Sequence, residues 1–160
     1  MLYKKYQMYD DKVEIMVPSH LKLTNTYLTS QYNWMSDDRK VVINVARGGS
    51  DLDEENLLLR LDEYYKGFNK DISEFECTRV YKRKINTHSY GEICYLSDMS
   101  GYKFYTVFLL GCFEGREMII TLQCMEQQIK QNEHIFENIA DSLRIKKKQN
   151  MIEEEEKYDS

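Results

Sequence analysis

The sequence predicts an α+β fold, in which a single antiparallel β-sheet of about six strands is flanked by two main α-helices. Apolar and polar residues alternate through residues 2–17, 31–46 and 75–124, which is the period of β-strands. Two other stretches, around residues 57–68 and 127–145, repeat apolar residues every three or four positions, as amphipathic helices do. Short turns separate most successive strands, and short connections favour antiparallel pairing.

The first part of the chain is predicted to hold two β-hairpins with a polar loop between them. Pro18 ends the first hairpin, because proline cannot donate a hydrogen bond within a sheet. Gly48-Gly49 closes the second hairpin. The predicted boundaries are 2–9 and 13–17 for the first pair of strands, 19–30 for the loop, and 31–35 and 41–46 for the second pair.

The first helix is predicted from an apolar stripe with a polar start. Ser50 or Asp51 marks the beginning, and Asp51 followed by Glu54 has the spacing of a capping box. Gly67 and Asn69 are predicted to end the helix. The stripe is made of Leu57, Leu61, Tyr64, Tyr65 and Phe68.

A four-stranded meander and a final helix are predicted to complete the fold. The strand at 102–113 is apolar on both faces, which is typical of a strand covered on both sides. Glu114-Gly115 has the length and composition of a tight hairpin turn. The other strands are predicted at 75–85, 88–96 and 116–124, and the helix at 127–145 carries a stripe of Phe136, Ile139, Ala140 and Leu143.

Length and charge narrow the classes of function. The 160 residues fit one domain over residues 1–145, followed by a charged tail at 146–160 that is either a helix extension or disordered. A net charge of −5 disfavours nucleic acid and anionic membranes as partners. The sequence shows neither a leader peptide nor an apolar run long enough to span a membrane, so a cytoplasmic location is expected.

Neither a cofactor nor a metal site is expected. The four cysteines contain no C-x-x-C spacing and fall in strand-like segments, where thiols behave as small apolar groups. The acidic run at 51–62 resembles a calcium loop, but Asn56 stands where such a loop requires glycine. No catalytic residue is predicted. A cryptic hydrolase with Cys94 or Cys112 as nucleophile and a histidine as base is the least favoured alternative.

Two surface features are candidates for binding. Tyr27, Tyr32 and Trp34 cluster where a strand edge meets the long loop, and they are the predicted partner-binding residues. The basic stretch RVYKRK at 79–84 has two interpretations. It is either a contact for phosphate or an acidic partner, or, as we favour, the charged residues that keep an edge strand from aggregating.

The order of elements resembles the PsbP-like superfamily, which includes PsbP, Mog-type and bacterial DcrB-type proteins. The resemblance covers about residues 10–145. It is carried by VEIMVPSHL near the N-terminus, by the hairpin GYKFYTVFLLGCFEGREMIITLQC, and by Phe136, Ile139 and Ser142-Leu143. It implies an antiparallel sheet with flanking helices and a role in binding or assembly, and no functional residue carries over. The acidic N-terminal surface of the Mog type has no counterpart here, because residues 18–33 contain no acid.

These observations lead to three functional hypotheses. The first is a non-catalytic protein-interaction module of a bacterial cytoplasm, either an adaptor, a chaperone-like protein or an immunity protein, and the composition rich in Lys, Asn, Tyr and Ile fits a bacterial origin. The second is a protein that binds a small hydrophobic ligand in the groove between sheet and helix. The third is the cysteine-dependent hydrolase.

Overall fold

A computed structural model of the protein describes residues 1–24 and 30–146. Two helices, α1 (Leu57–Asp71) and α2 (Ile129–Asp141), occur within these ranges, and a short 3-10 helix at Glu126–Gln128 precedes α2. The strands within them are β1 (Tyr3–Met8), β2 (Val13–Pro18), β3 (Lys22–Thr24), β4 (Tyr32–Met35), β5 (Val42–Asp51), β6 (Glu76–Ile85), β7 (His88–Met99), β8 (Tyr102–Phe113), β9 (Arg116–Met125) and β10 (Arg144–Ile145).

The described strands form two antiparallel sheets. The larger has seven strands in the order β3-β4-β5-β9-β8-β7-β6, and the smaller has three in the order β1-β2-β10. The α+β class and the antiparallel pairing are confirmed, whereas the prediction of one sheet of about six strands is wrong. The first hairpin pairs with β10, which follows α2, and does not join the meander.

The two sheets and two helices form three layers, with the seven-stranded sheet in the middle. One face of that sheet packs under the small sheet and α2, and the shared core includes Ile15, Leu109 and Ile139, each 0% exposed. The other face packs against α1 through Leu57, Ile93, Phe108 and others. Strand β8 therefore contributes side chains to both cores, as its two apolar faces predicted.

Three turns of the meander have the same backbone conformation. Asn86-Thr87, Ser100-Gly101 and Glu114-Gly115 all have positive φ at both residues, with values of 47° and 74°, 56° and 84°, and 49° and 75°. Two-residue hairpin turns of this kind match the twist of the strands that they join. The turn predicted at Glu114-Gly115 is confirmed.

Helix α1 begins later than predicted. Strand β5 continues through Gly48-Gly49, with an irregularity in its pairing to β9, and ends at Asp51 opposite Arg116. The predicted capping box at Asp51 and Glu54 is replaced by a reciprocal pair of bonds in the turn before the helix: the Asn56 side chain accepts the N–H of Asp53, and the Asp53 carboxylate accepts that of Asn56. Asn56 is the N-cap residue, and its side chain makes no capping bond to the helix. Gly67 and Asn69 lie inside the helix, which runs to Asp71.

Differences also occur at the predicted loop and at the last helix. Residues 22–24, predicted as loop, form β3 against β4. Helix α2 ends at Asp141 and not at residue 145, because residues 144–145 pair with β2. Tail residues 147–160 lie outside the described residues. Among the described helices, none is long and apolar enough to cross a membrane.

A candidate interaction groove beside the edge strand β6

Strand β6 forms one edge of the seven-stranded sheet. It is ten residues long and pairs with β7, and no described strand lies on its other side. The basic stretch RVYKRK lies entirely on this strand, which confirms the predicted edge position. Its side chains alternate between two faces, so Arg79, Tyr81 and Arg83 point toward the face that α2 covers, and Lys82 and Lys84 point away from it.

A groove of about 400 Å³ opens between the sheet near β6 and helix α2. We call it the β6–α2 groove. Its sheet side is formed by β6 and β8 and its other side by α2, so both walls are regular elements rather than loops. The groove is lined by Arg79, Tyr81, Tyr105, Val107, Lys130, Glu133, His134, Phe136 and Glu137.

A cluster of charges centred on Arg83 joins the two walls of the groove beside it, and shares Glu137 with the groove lining. Its guanidinium donates to both carboxylate oxygens of Glu92 at 3.3 Å, to Glu137 at 3.2 and 3.3 Å, and to Asp141 at 2.7 Å. The Arg83 side chain is 12% exposed and that of Glu92 only 1%. A carboxylate buried this deeply requires a partner, and the same arginine ties β6 and β7 to α2.

The outer part of the groove is more accessible. Arg79 lies over the ring of Tyr81 at 4.9 Å, with its side chain 53% exposed, and its guanidinium is 3.6 Å from the carboxylate of Glu137. Lys130 and Glu133 are exposed on α2. The rim therefore presents both signs of charge next to aromatic rings.

The tyrosines of the groove are held in their neutral form. Burial, followed by the hydrogen bond to Glu92, raises the pKa of Tyr81 to about 12. Burial is also the largest cause of the raised pKa of Tyr105, whose ring stacks on Phe136 with centroids 6.4 Å apart. At neutral pH these phenols are hydrogen-bonding and packing groups, not bases.

The cysteines considered as nucleophiles are held as thiols. Burial raises the pKa of both Cys94 and Cys112 to about 11, with nearby carboxylates adding to the shift. Such a thiol is about 10⁻⁴ ionised at pH 7, and the thiolate is the nucleophile. All four cysteines are free. The geometry therefore gives no support to a hydrolase at these positions.

The histidines do not converge. His134 lines the β6–α2 groove, whereas His20 lies in a separate hollow with Asp37 and Asp38, and His88 lies at the start of β7. Across residues 1–24 and 30–146, no group of three or more His, Cys, Asp and Glu side chains is arranged to hold a metal ion.

The predicted partner-binding aromatics occupy different places. Trp34 is 0% exposed and packs against Tyr6 with ring centroids 5.2 Å apart. Tyr32 is half-buried, and its hydroxyl accepts the backbone N–H of Tyr9 at 3.0 Å. Tyr27 lies outside the described residues. A fully buried indole offers no surface to a partner, so the placement of Trp34 at a binding edge is corrected: its strand alternation points it into the core.

The sequence reasoning missed Glu92 and the acidic residues of α2. Glu92 is the acid in the middle of strand β7, and it lies on the same sheet face as Arg83, one strand away. Arg79 and Arg83, on a face of β6 that otherwise carries Tyr81 and Ile85, were the available signal, since a charge on a buried face needs an opposite charge nearby. The partner could not be identified without knowing the register of β6 and β7.

Comparisons with known proteins identify the fold. No protein-family model and no curated protein match the sequence. Among solved structures, the chain is similar to cyanobacterial PsbP (CyanoP) from Synechocystis sp. PCC 6803, with a TM-score of 0.68 and 12% identity over 89% of this chain and 92% of that one.

Two further similar structures are a Ran-binding protein and an immunity protein. The Ran-binding protein Mog1p of Saccharomyces cerevisiae has a TM-score of 0.56 and 8% identity, over 91% of this chain and 96% of that one. The T6SS immunity protein TplEi of Pseudomonas aeruginosa has a TM-score of 0.50 and 12% identity, over 83% of this chain and 48% of that one. At identities this low the likeness concerns the fold alone, and this chain adopts the PsbP-like fold.

Proposed function

We propose that this protein is a non-catalytic interaction module of a bacterial cytoplasm, of the adaptor, chaperone-like or immunity type, which binds a protein partner in the β6–α2 groove. The observation that carries the proposal is the contrast within the groove. Its walls are joined by the ion pair of Arg83 on β6 with Glu137 on α2, while its rim leaves charged and aromatic side chains accessible.

The rim has the composition that protein interfaces favour. Aromatic residues and arginine are enriched at such interfaces because they combine apolar area with directional hydrogen bonds. Arg79 stacked on Tyr81 supplies both, next to the buried ring of Phe136. A groove fixed by an internal ion pair loses little conformational freedom when a partner binds, which favours affinity.

The structural neighbours support a protein partner in general terms. Mog1p is a Ran-binding protein and TplEi is an immunity protein, which supports the binding and immunity roles among those proposed. The high pKa of the thiols supports a role without covalent catalysis.

Site-specific photo-crosslinking in cells of the native host tests this proposal. A photoreactive amino acid is introduced at Lys130 or Glu133, on the groove side of α2, and for comparison at Lys22 or Lys40. The two lysines lie near the β3 edge of the sheet, opposite to β6. We expect one discrete crosslinked protein from the groove positions and none from the control positions. Equal or absent crosslinking at all four positions would contradict the proposal.

A small-ligand binding protein is the second candidate function. The observation that favours it is the groove volume of about 400 Å³, which lies within the usual range for ligand pockets. Tyr81, Tyr105 and Phe136 supply an aromatic surface, but the charged rim fits an amphipathic ligand better than the purely hydrophobic one that the sequence suggested. Native mass spectrometry of the protein purified from its host would show a bound mass, and Tyr105→Ala would remove it.

A further inference from the structure

Strand β6 turns backbone hydrogen-bonding groups outward at the edge of the sheet. Asn86-Thr87 is a two-residue turn, so Ile85 and His88 on either side of it form a hydrogen-bonded pair. Such pairs alternate with non-hydrogen-bonded pairs along an antiparallel ladder, and the pairing of β6 with β7 is regular over residues 79–85. Backbone N–H and C=O groups therefore point away from β7, to the side where no described strand lies, at Val80, Lys82 and Lys84.

The side chains along this edge are accessible and mostly basic. Lys82 and Lys84 are exposed, and within the described ranges neither takes part in an ion pair. Val80 lies on the same face of the strand and is 45% exposed. On the other face Arg79 is 53% exposed, at the rim of the β6–α2 groove. One open strand thus combines outward backbone groups with three accessible positive charges.

A second copy of this chain is a poor match for the edge. Among the described strands, those at the edges of the two sheets are β1, β3, β6 and β10. Each of them carries at least one lysine or arginine, and Glu76 is the single acid among them, although the whole chain has a net charge of −5. Pairing β6 with any of these edges in a second copy brings basic residues together, and like charges on opposed strands are destabilising. An acidic strand meets no such repulsion.

We propose that the partner binds β6 with an acidic extended segment, which adds to the seven-stranded sheet as a further strand. This inference rests on the β6–α2 groove as the interaction site and names the chemistry of the segment bound beside it. The segment bonds to the outward backbone groups of β6, as peptides do when they add to other open edges. Its acidic side chains lie next to Lys82 and Lys84, and the residues between them point to the groove face, toward Arg79 and Tyr81. The lysines that discourage self-pairing thereby select an acidic strand.

A synthetic peptide of five Glu-Val repeats tests this proposal with the full chain. In an extended strand its glutamates lie on one face and its valines on the other. The control is a peptide of five Glu-Pro repeats, which has the same charge but lacks every second backbone N–H. We expect isothermal titration calorimetry to show the Glu-Val peptide binding at least about tenfold more tightly, because only that peptide can complete the backbone hydrogen bonds. Equal affinities, or no binding of the Glu-Val peptide, would overturn the proposal.

Amide hydrogen exchange measured by NMR locates the contact. With saturating Glu-Val peptide, we expect exchange at the outward amides of Val80, Lys82 and Lys84 to slow by at least about tenfold. The amides of Tyr81 and Arg83 face β7 and should not change. Binding without protection of the three outward amides would show that no strand is added. The same protection by an oligothymidylate of equal length would assign the edge to nucleic acid and overturn the acidic segment.

Matched charge variants test the chemistry of the segment. K82Q with K84Q keeps two exposed side chains of similar length and should weaken binding of the Glu-Val peptide on the order of fivefold, since two exposed ion pairs are lost. K22Q with K40Q, at the opposite edge of the sheet, should leave the affinity unchanged. Unchanged affinity in the β6 variant would rule out recognition by charge.

The outcome is separable from that of the proposed function. Crosslinking from α2 reports whether a partner occupies the groove, and the peptide experiments report how the partner is held. Crosslinks that persist while the Glu-Val peptide fails to bind would make only the added strand wrong. Loss of the crosslinks would overturn the groove itself.

Discussion

The buried carboxylate of Glu92 makes the stability of the fold depend on Arg83. Replacing Arg83 with glutamine removes the positive charge and leaves Glu92, whose side chain is 1% exposed, without a counter-ion. At 3.3 Å and an effective dielectric constant of about 20, the attraction between the two charges is about 5 kcal/mol before desolvation is counted. Removal of one partner from a buried pair typically costs about 3–5 kcal/mol. We expect R83Q to lower the free energy of unfolding by that amount.

Companion variants distinguish two contributions to the loss of stability in R83Q: the unpaired carboxylate of Glu92 and the lost contacts to α2. Glu137 and Asp141 have side chains 40% and 63% exposed, so they can turn to water when Arg83 is absent. Most of the cost should therefore come from Glu92. The double variant R83Q with E92Q should then be more stable than R83Q alone by about 1–3 kcal/mol.

Urea unfolding monitored by circular dichroism measures these differences, because the midpoint and slope give the free energy of unfolding. Lys82→Gln is the matched control on the same strand, and it should change stability by no more than about 0.5 kcal/mol since its side chain is exposed. A cost of less than about 1 kcal/mol for R83Q would show that Glu92 does not depend on the charge of Arg83. A double variant no more stable than R83Q alone would show the same.

Three further predictions concern the backbone and the thiols. Gly48→Ala would place a Cβ within the side chain of Glu117 and should lower the free energy of unfolding in urea by about 2–4 kcal/mol. Gly49 has open space around it, so Gly49→Ala should lower that free energy by less than about 1 kcal/mol. Thr87 is a β-branched residue at a φ of 74°, and Thr87→Gly should remove the backbone strain of that conformation. We expect the free energy of unfolding to rise by about 0.5–1 kcal/mol, seen as a higher midpoint in thermal unfolding, and a lower midpoint would contradict this expectation. Burial raises the pKa of Cys94 to about 11, so between about pH 9 and 11 the folded state keeps a proton that the unfolded state loses. The free energy of unfolding should therefore fall over that range of pH. In Cys94→Ala this fall should be less steep, as urea unfolding at several pH values would show.

The sequence predicted individual elements better than their assembly. The alternation of apolar and polar residues predicted the strands of the meander, and the turn residues Glu114-Gly115 predicted its last hairpin. Both predictions succeeded because each depends only on residues that are close together in the chain. Alternation shows which face of a strand is buried, but not which strand lies beside it. The pairing of β2 with β10 therefore could not be predicted: it joins residues about 130 positions apart through a strand of two residues.

The candidate site was predictable only in part. The edge position of RVYKRK followed from its composition, since lysine and arginine are common on edge strands. Trp34 was placed at a surface because it clusters with Tyr27 and Tyr32 beside the long loop, and this inference was wrong because a large aromatic residue in a strand fits a core equally well. Burial of Trp34 depends on Tyr6 from the other sheet, which local sequence does not indicate.

Quantitative binding of the crosslinked partner is the most direct test of the central claim that the β6–α2 groove is the interaction site. The purified partner is titrated into the wild type, into a variant with Arg79→Glu and Lys130→Glu, and into a control with Lys22→Glu and Lys40→Glu. Both variants change the net charge equally. We expect binding to be at least tenfold weaker, or about 1.4 kcal/mol, for the groove variant and unchanged for the control. Equal affinity of the groove variant and the wild type would contradict it.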